Sequence, residues 1–223
     1  MQIQDYSLVL PDGRQLFNRL TAEFVPGKVN ILLGANGLGK TTLLDLIAGV
    51  RAGDRSHLLG FPTMGHIGYE MQGAPFTGNV TVLEALQMMR VLDDPTATLK
   101  VADLPADLQA IAHTRFKALS GGQRRLVLFT GICQLRRELY LFDEPENGLD
   151  LRAVKRVMAQ ISRLVSSGRT VIMTTHQLRA LPEGNTQVLV LAGQCIAFAG
   201  TPAEFMAETQ TGSLEAAYLK GVS

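Results

Sequence analysis

Residues Gly34-Ala35-Asn36-Gly37-Leu38-Gly39-Lys40-Thr41-Thr42 fit the spacing G-x4-G-K-[ST], and their flanks constrain the fold around them. Before them runs Val29 to Leu33, apolar except for Asn30 and short enough for a buried strand. After them Leu43, Leu46, Ile47 and Val50 recur at helical spacing, with Gly49 near the end of the helix. A strand, a glycine-rich turn and a helix in that order form a cradle for phosphate. The glycines allow positive φ and close backbone approach, so consecutive N–H groups can ring an anion. The helix begins at Lys40 and adds its N-terminal partial positive charge. Gly34, Asn36, Gly37, Gly39, Lys40, Thr41 and Thr42 are therefore candidate phosphate-binding residues. Lys40 is expected to reach the β- and γ-phosphates, and the Thr41 hydroxyl to ligate magnesium.

The rest of the chain alternates strand and helix patterns. Tyr6, Leu8, Leu10, Leu16, Leu20, Ala22 and Phe24 mostly alternate with polar residues around the turn signal Pro11-Asp12-Gly13. Residues 51–68 read as loop with short strands. From 79 to 117 the pattern is helical, with a capping-box spacing at Thr81 and Glu84 and a second helix start at Pro105. A helix follows over about Gly122–Arg136, then the apolar run Leu139–Phe142. Leu151, Val154, Met158, Ile161 and Val165 mark another amphipathic helix, ended by Ser166-Ser167-Gly168. Val171–Met173 is a buried strand, Val188–Ala199 a hairpin across Gly193, and Thr201-Pro202-Ala203-Glu204 a further helix cap.

This alternation predicts an α/β fold with a mainly parallel core sheet, in which ligands lie at the carboxyl ends of the strands. Three buried strands end in chemically distinctive residues: Gly34, the pair Asp143-Glu144, and His176. Asp143 is placed to hold magnesium through water. Glu144 is placed to polarise an attacking water, as general base or water anchor.

Composition narrows the class of partner. At 223 residues the chain is one large domain, or one with a small insert near 75–118. It is 46% hydrophobic with a formal net charge of +1, which gives no reason to expect nucleic-acid binding. No apolar run nears the roughly 18 residues of a membrane span, and the N-terminus lacks a signal pattern, so a cytoplasmic location is expected. His57, His66 and His113 lack metal-ligand spacing. Cys133 and Cys195 read as small buried hydrophobes. Arg124, Arg125, Arg136 and Arg137 bracket one helix and read as a solvated or partner-facing surface.

Leu119-Ser120-Gly121-Gly122-Gln123 is the most specific string in the chain. Ser120 can cap a helix whose first amides, at Gly121 and Gly122, form a second anion site. With the phosphate loop upstream and Asp143-Glu144 downstream, the chain resembles the nucleotide-binding domain of an ABC ATPase over roughly residues 1–205. The resemblance implies a P-loop NTPase fold of ABC type, with an N-terminal antiparallel β subdomain and a helical subdomain. It implies a nucleotide-binding core at 1–74 and 136–205, a helical subdomain at 75–135 carrying the signature, and a short C-terminal helix at 206–223. It further implies that Gln72 is the Q-loop glutamine, contacting magnesium and the transmembrane partner. Asp150, in Asn147-Gly148-Leu149-Asp150, falls in the D-loop, and His176 is the switch histidine that senses the γ-phosphate.

In such a family the signature Ser120, Gly121, Gly122 and Gln123 of one subunit closes on ATP held by the other. The implied ligands are ATP and Mg2+. The implied partners are a second ABC subunit, arranged head to tail, and an integral membrane permease that holds the chain at the inner face of the membrane. The tails Gly200–Phe205 and Ser213–Leu219 resemble those of bacterial exporter ATPases, so export is expected. A soluble ATPase of macromolecular assembly is the alternative. Two departures stand out. The position of the family's adenine-stacking aromatic falls near Leu10 or Pro11, neither aromatic, with Tyr6 the nearest candidate. The interval from Lys40 to Gln72 is short, implying a trimmed antiparallel subdomain.

Overall fold

The computed structural model describes residues 1–70, 78–178 and 184–221. Strands β1 (Gln2–Val9) and β2 (Gln15–Glu23) form an antiparallel pair, joined at its edge by the two-residue β4 (Leu58–Leu59). This small sheet lies beside a larger one. The larger sheet contains β3 (Val29–Leu33), β5 (Ile67–Glu70), β6 (Leu139–Asp143), β7 (Thr170–Thr174), β8 (Thr186–Ala192) and β9 (Cys195–Gly200). Its order is β5-β6-β7-β3-β8-β9, parallel except for the last pair. Every residue of β3, β6 and β7 is buried, which accounts for continuous apolar runs where a half-exposed strand would alternate.

Helices cover both faces of this sheet. On one face α1 (Lys40–Ala48) packs Leu43, Leu44, Leu46 and Ile47 against Leu139, Leu141, Ile172 and the antiparallel sheet. On the other, α4 (Gly121–Gln134) and α5 (Leu151–Ser166) lay Leu126, Phe129, Val154, Val157 and Ile161 on Phe142, Tyr140 and Met173. A third cluster gathers α2 (Val82–Arg90), α3 (Ala106–Gln109) and Val127 of α4. Helix α4 thus belongs to two cores at once, and it starts at Gly121 and ends at Gln134, slightly before the span read from sequence. The C-terminus forms two helices rather than one, α6 (Pro202–Thr209) and α7 (Leu214–Gly221), because Gln210 turns left-handed with φ 54°.

The cysteine reading needs correction. Cys195 is exposed, since it opens the edge strand β9 and points outward, and Cys133 is half-buried against the core. Asn30, the polar interruption of β3, is fully buried and acts as a hub. Its Oδ1 accepts from Val25 N at 2.7 Å, while its Nδ2 donates to Val25 O at 3.0 Å and lies 3.3 Å from both Lys28 O and Val171 O. Replacing it with the similarly sized Leu leaves the Val25 amide and carbonyl without this partner. Asn30→Leu is expected to lower unfolding free energy by about 2–4 kcal/mol in denaturant titration. A loss below about 0.5 kcal/mol would show that these bonds only replace equivalent bonds to water.

Candidate functional site

The loop between β3 and α1 is shaped by glycines that no other residue could replace. Gly39 caps α1 at φ 98°, and a Cβ there would lie 2.8–2.9 Å from the side chains of Leu16 and Phe17. At Gly34 a Cβ would meet Leu191 O at 2.6 Å. Lys40 turns back into this loop and is only 7% exposed, donating from Nζ to Gly34 O at 2.7 Å and Ala35 O at 3.1 Å. Burial pulls the ammonium below its ordinary range, and the carboxylates of Glu144 and Asp143 oppose that shift. An anion entering the loop would meet a partly desolvated cation held only by carbonyls.

The parallel register brings the second group of residues to the same edge. Asp143 pairs with Thr174 across β6 and β7, and Thr174 pairs with Leu32 across β7 and β3. Both Asp143 oxygens are engaged by hydroxyls: Thr41 Oγ1 donates to Oδ2 at 2.7 Å and Thr174 Oγ1 to Oδ1 at 2.6 Å. Glu144 follows in a left-handed conformation with φ 49°, its amide donating to Thr174 Oγ1 at 2.9 Å. His176 Nε2 lies 2.9 Å from Glu144 Oε1 and donates to it when the carboxylate is ionised. Asn147 Nδ2 is 3.3 Å from Glu144 Oε2.

A groove of about 420 Å³ joins these parts, lined by Leu10, Arg14 and Leu16, by Asn36, Gly37, Gly39 and Lys40–Thr42, and by Asp143 and Glu144. Tyr6 cannot serve as a base platform, since it is 3% exposed and packed against Phe17 and His57. Leu10 and Arg14 line the groove instead. Thr41 and Asp143 offer one hydroxyl and one carboxylate at hydrogen-bond distance. Such hard oxygens suit Mg2+, which takes few protein ligands and completes its shell with water and phosphate.

The remaining sequence candidates lie apart from this groove or beyond the described residues. Ser120 caps α4: its Oγ accepts from Gln123 N at 3.2 Å, and Gln123 Oε1 accepts from Ser120 N at 2.9 Å. Ser120, Gly121, Gly122 and Gln123 do not line the groove, so the capped start of α4 is separate from the phosphate loop. Asp150 caps α5 by accepting from Ala153 N at 2.8 Å. Gln72 lies outside the described residues.

Besides Thr174, which links Asp143 to Glu144, four residues escaped the sequence reading. Glu146, 2% exposed, accepts from Thr175 Oγ1 and from His176 N at 3.2 Å, so it fixes the backbone that presents His176. Tyr218 on α7 donates to Gly34 O at 3.1 Å, the same carbonyl that holds Lys40. Arg125 is not a solvated surface residue, because it bonds to the carbonyls of Asp143, Glu144 and Asn147. Arg137 is likewise tied down by Asp93, whereas Arg124 closes its own helix start on Leu119 O and Lys117 O. Glu70, at the end of β5, is the counter-ion 3.6 Å from Arg125, and burial lifts its carboxyl to about 7.

A family model described as ABC transporter matches residues 17–147. The cytochrome c biogenesis ATP-binding export protein CcmA of Cupriavidus necator is 32% identical over 193 residues, 78% of this chain and 81% of that protein. The molybdate import ATP-binding protein MolC of Haemophilus influenzae is 31% identical over 83% of this chain and 76% of its own length. The ABC transporter ATP-binding/permease protein Rv1747 of Mycobacterium tuberculosis is 29% identical over 92% of this chain, which spans only 26% of that protein. A solved structure of an ATP-binding subunit of an ABC transporter shares the fold, with a TM-score of 0.79 at 18% identity over 98% of both chains.

Two measurements check this geometry. Tyr218→Phe removes one of the two donors to Gly34 O and is expected to weaken binding of a fluorescent ATP analogue about 2–10-fold. Unchanged affinity would reduce Tyr218 to packing. Glu70 titrates higher folded than unfolded, so the native state binds more protons between pH 4.5 and about 7 and stability falls as pH rises through that window. Glu70→Gln should remove that decline, of up to about 3 kcal/mol, from unfolding curves measured across the window. An unchanged slope would assign it to another group.

Proposed function

The chain belongs to the ABC transporter family as an ATP-binding ATPase, and on that premise we propose that it works as one half of a head-to-tail pair driving a membrane-spanning permease. The observation that carries the reading is the continuous link Thr41–Asp143–Thr174–Glu144–His176 beside the buried Lys40. Gly34, Asn36, Gly37, Gly39 and Thr42 cradle the ATP phosphates with their backbone, and Lys40 leaves its loop carbonyls to meet the β- and γ-oxygens. Leu10 and Arg14, which line the groove, take the base in place of an aromatic ring. Thr41 and Asp143, with Gln72, would hold Mg2+, which would neutralise charge developing on the transferred phosphoryl group.

Glu144 accepts the proton of the attacking water. His176, held through Glu146, fixes the Glu144 carboxylate and reads whether the terminal phosphate is present. Among the described residues Ser120–Gln123 form a capped helix start that does not line the groove. A second copy turned head to tail would bring that edge, with Asp150 beside it, onto the ATP of the first. ATP then acts as the adhesive of the pair, and hydrolysis releases it.

The organisation follows the same division: a nucleotide-binding core at 1–74 and 136–205, and a helical part at 75–135 that carries the signature. No helix among the described residues is long and apolar enough to cross a membrane. In this reading a membrane-spanning permease holds the chain at the inner membrane face. Export is the favoured direction, supported by the export label of CcmA at 81% of its length, although an import protein matches over a similar span.

Glu144→Gln is expected to bind ATP, dimerise in its presence, and lose turnover by about 10²-fold or more, as read by phosphate release and size-exclusion chromatography. Normal turnover in that variant would remove Glu144 from the proton-transfer role.

A further inference from the structure

Helix α4 begins with Ser120–Gln123, and a turn later Arg125 leaves it to reach the turn that follows β6. Its Nη2 donates to Glu144 O at 2.6 Å and Asp143 O at 3.0 Å, and its Nη1 donates to Asn147 O at 3.1 Å. One guanidinium therefore gathers three carbonyls of the segment 143–147. Arg125 and Glu70 are 23% and 7% exposed at their side chains, so this charge is drawn from water and balanced by a buried carboxylate. Packing of α4 does not require it, since Leu126, Phe129 and Ile132 already seat the helix on the sheet.

The segment it holds is strained. Glu144 has φ 49°, which an L side chain adopts only when its surroundings over-determine it. The Glu144 amide is fixed by Thr174, while its carbonyl accepts from Asn147 N at 3.0 Å and from Arg125. Arg125 is the one of these partners carried on the signature helix. The contact is reinforced at the first turn, where a Cβ on Gly122 would come within 3.3 Å of Gly148 O. The signature helix and the Glu144 turn are thus in direct contact at two points.

We infer that Arg125 is a positioning residue that couples the signature edge of the chain to the backbone of its own Glu144. The inference rests on the proposed role of Ser120–Gln123 as the edge that meets the nucleotide of a second copy. When that edge is engaged, the rigid helix transmits its position through the guanidinium to three carbonyls. The Glu144 carboxylate is thereby set toward the water of its own site. Arg125 touches neither nucleotide, and its effect belongs on turnover rather than on binding.

The test uses the full chain with Arg125→Met and Arg125→Lys. Steady-state ATP hydrolysis, affinity for a fluorescent ATP analogue, and ATP-dependent dimerisation in the Glu144→Gln background are measured for each. Arg125→Met is expected to lower kcat about tenfold or more, with KM, nucleotide affinity and dimerisation within about twofold of the parent. Arg125→Lys keeps the cation but cannot gather three carbonyls, so its kcat should fall between the two. Loss of affinity and turnover in parallel, or turnover within about twofold of the parent for both variants, would overturn the inference. If Arg125→Met fails to fold, the Lys variant alone decides by the same split. Absence of ATP hydrolysis in the unmodified chain would instead overturn the functional reading beneath it.

Discussion

The site depends on the register of three parallel strands. Because Asp143 lies opposite Thr174 and Thr174 opposite Leu32, the ends of β6, β7 and β3 arrive at one edge together. A buried carboxylate is costly unless its oxygens are satisfied, and those of Asp143 receive hydroxyls from the phosphate loop and from β7. The Thr174 oxygen then accepts from the amide of Glu144. Shifting any of these strands by one residue would turn that side chain to the other face of the sheet and break the chain of bonds.

Around this edge the protein accumulates groups that do not favour stability. Glu144 is strained, Lys40 is partly desolvated, and Glu70 and Glu146 are buried acids with one oxygen each left without a hydrogen-bond partner among the described residues. Conflict of this sort concentrates where a structure is shaped for chemistry. The two large cores flanking the sheet, built from α1 with the antiparallel strands and from α4 with α5, hold these groups in place.

Local signals in the sequence were sufficient for everything that local geometry decides. The loop Gly34–Thr42, the cap at Ser120, the helix of Leu151–Ser166 and the hairpin across Gly193 follow from spacing and turn chemistry alone. Contacts between distant segments were not legible. Nothing in the pattern says that β7 enters between β6 and β3, so Thr174 drew no notice although it joins Asp143 to Glu144. Arg125 looked like one of four surface cations, because its targets lie 18 to 22 residues away around a turn. The sequence pattern does not single out Glu146, whose part emerges only from the contacts with Thr175 and His176. Cys195 was misjudged because β9 is an edge strand whose residues are exposed or half-buried, whereas a central strand is covered on both faces.

The phosphate-loop groove and the capped start of α4 stand apart within one chain. A lone subunit has the cation and the acids lining one groove, with His176 2.9 Å from the Glu144 carboxylate, and a capped helix start elsewhere. The head-to-tail pair proposed above would give each groove the helix start that lies apart from it in its own chain. The direct measurement mixes two inactive chains, one carrying Lys40→Ala and the other Ser120→Arg, both shown to be folded by circular dichroism. The account predicts that the mixture hydrolyses ATP although neither chain does so alone, because each mixed pair contains one complete site. A mixture as inactive as its components would contradict it.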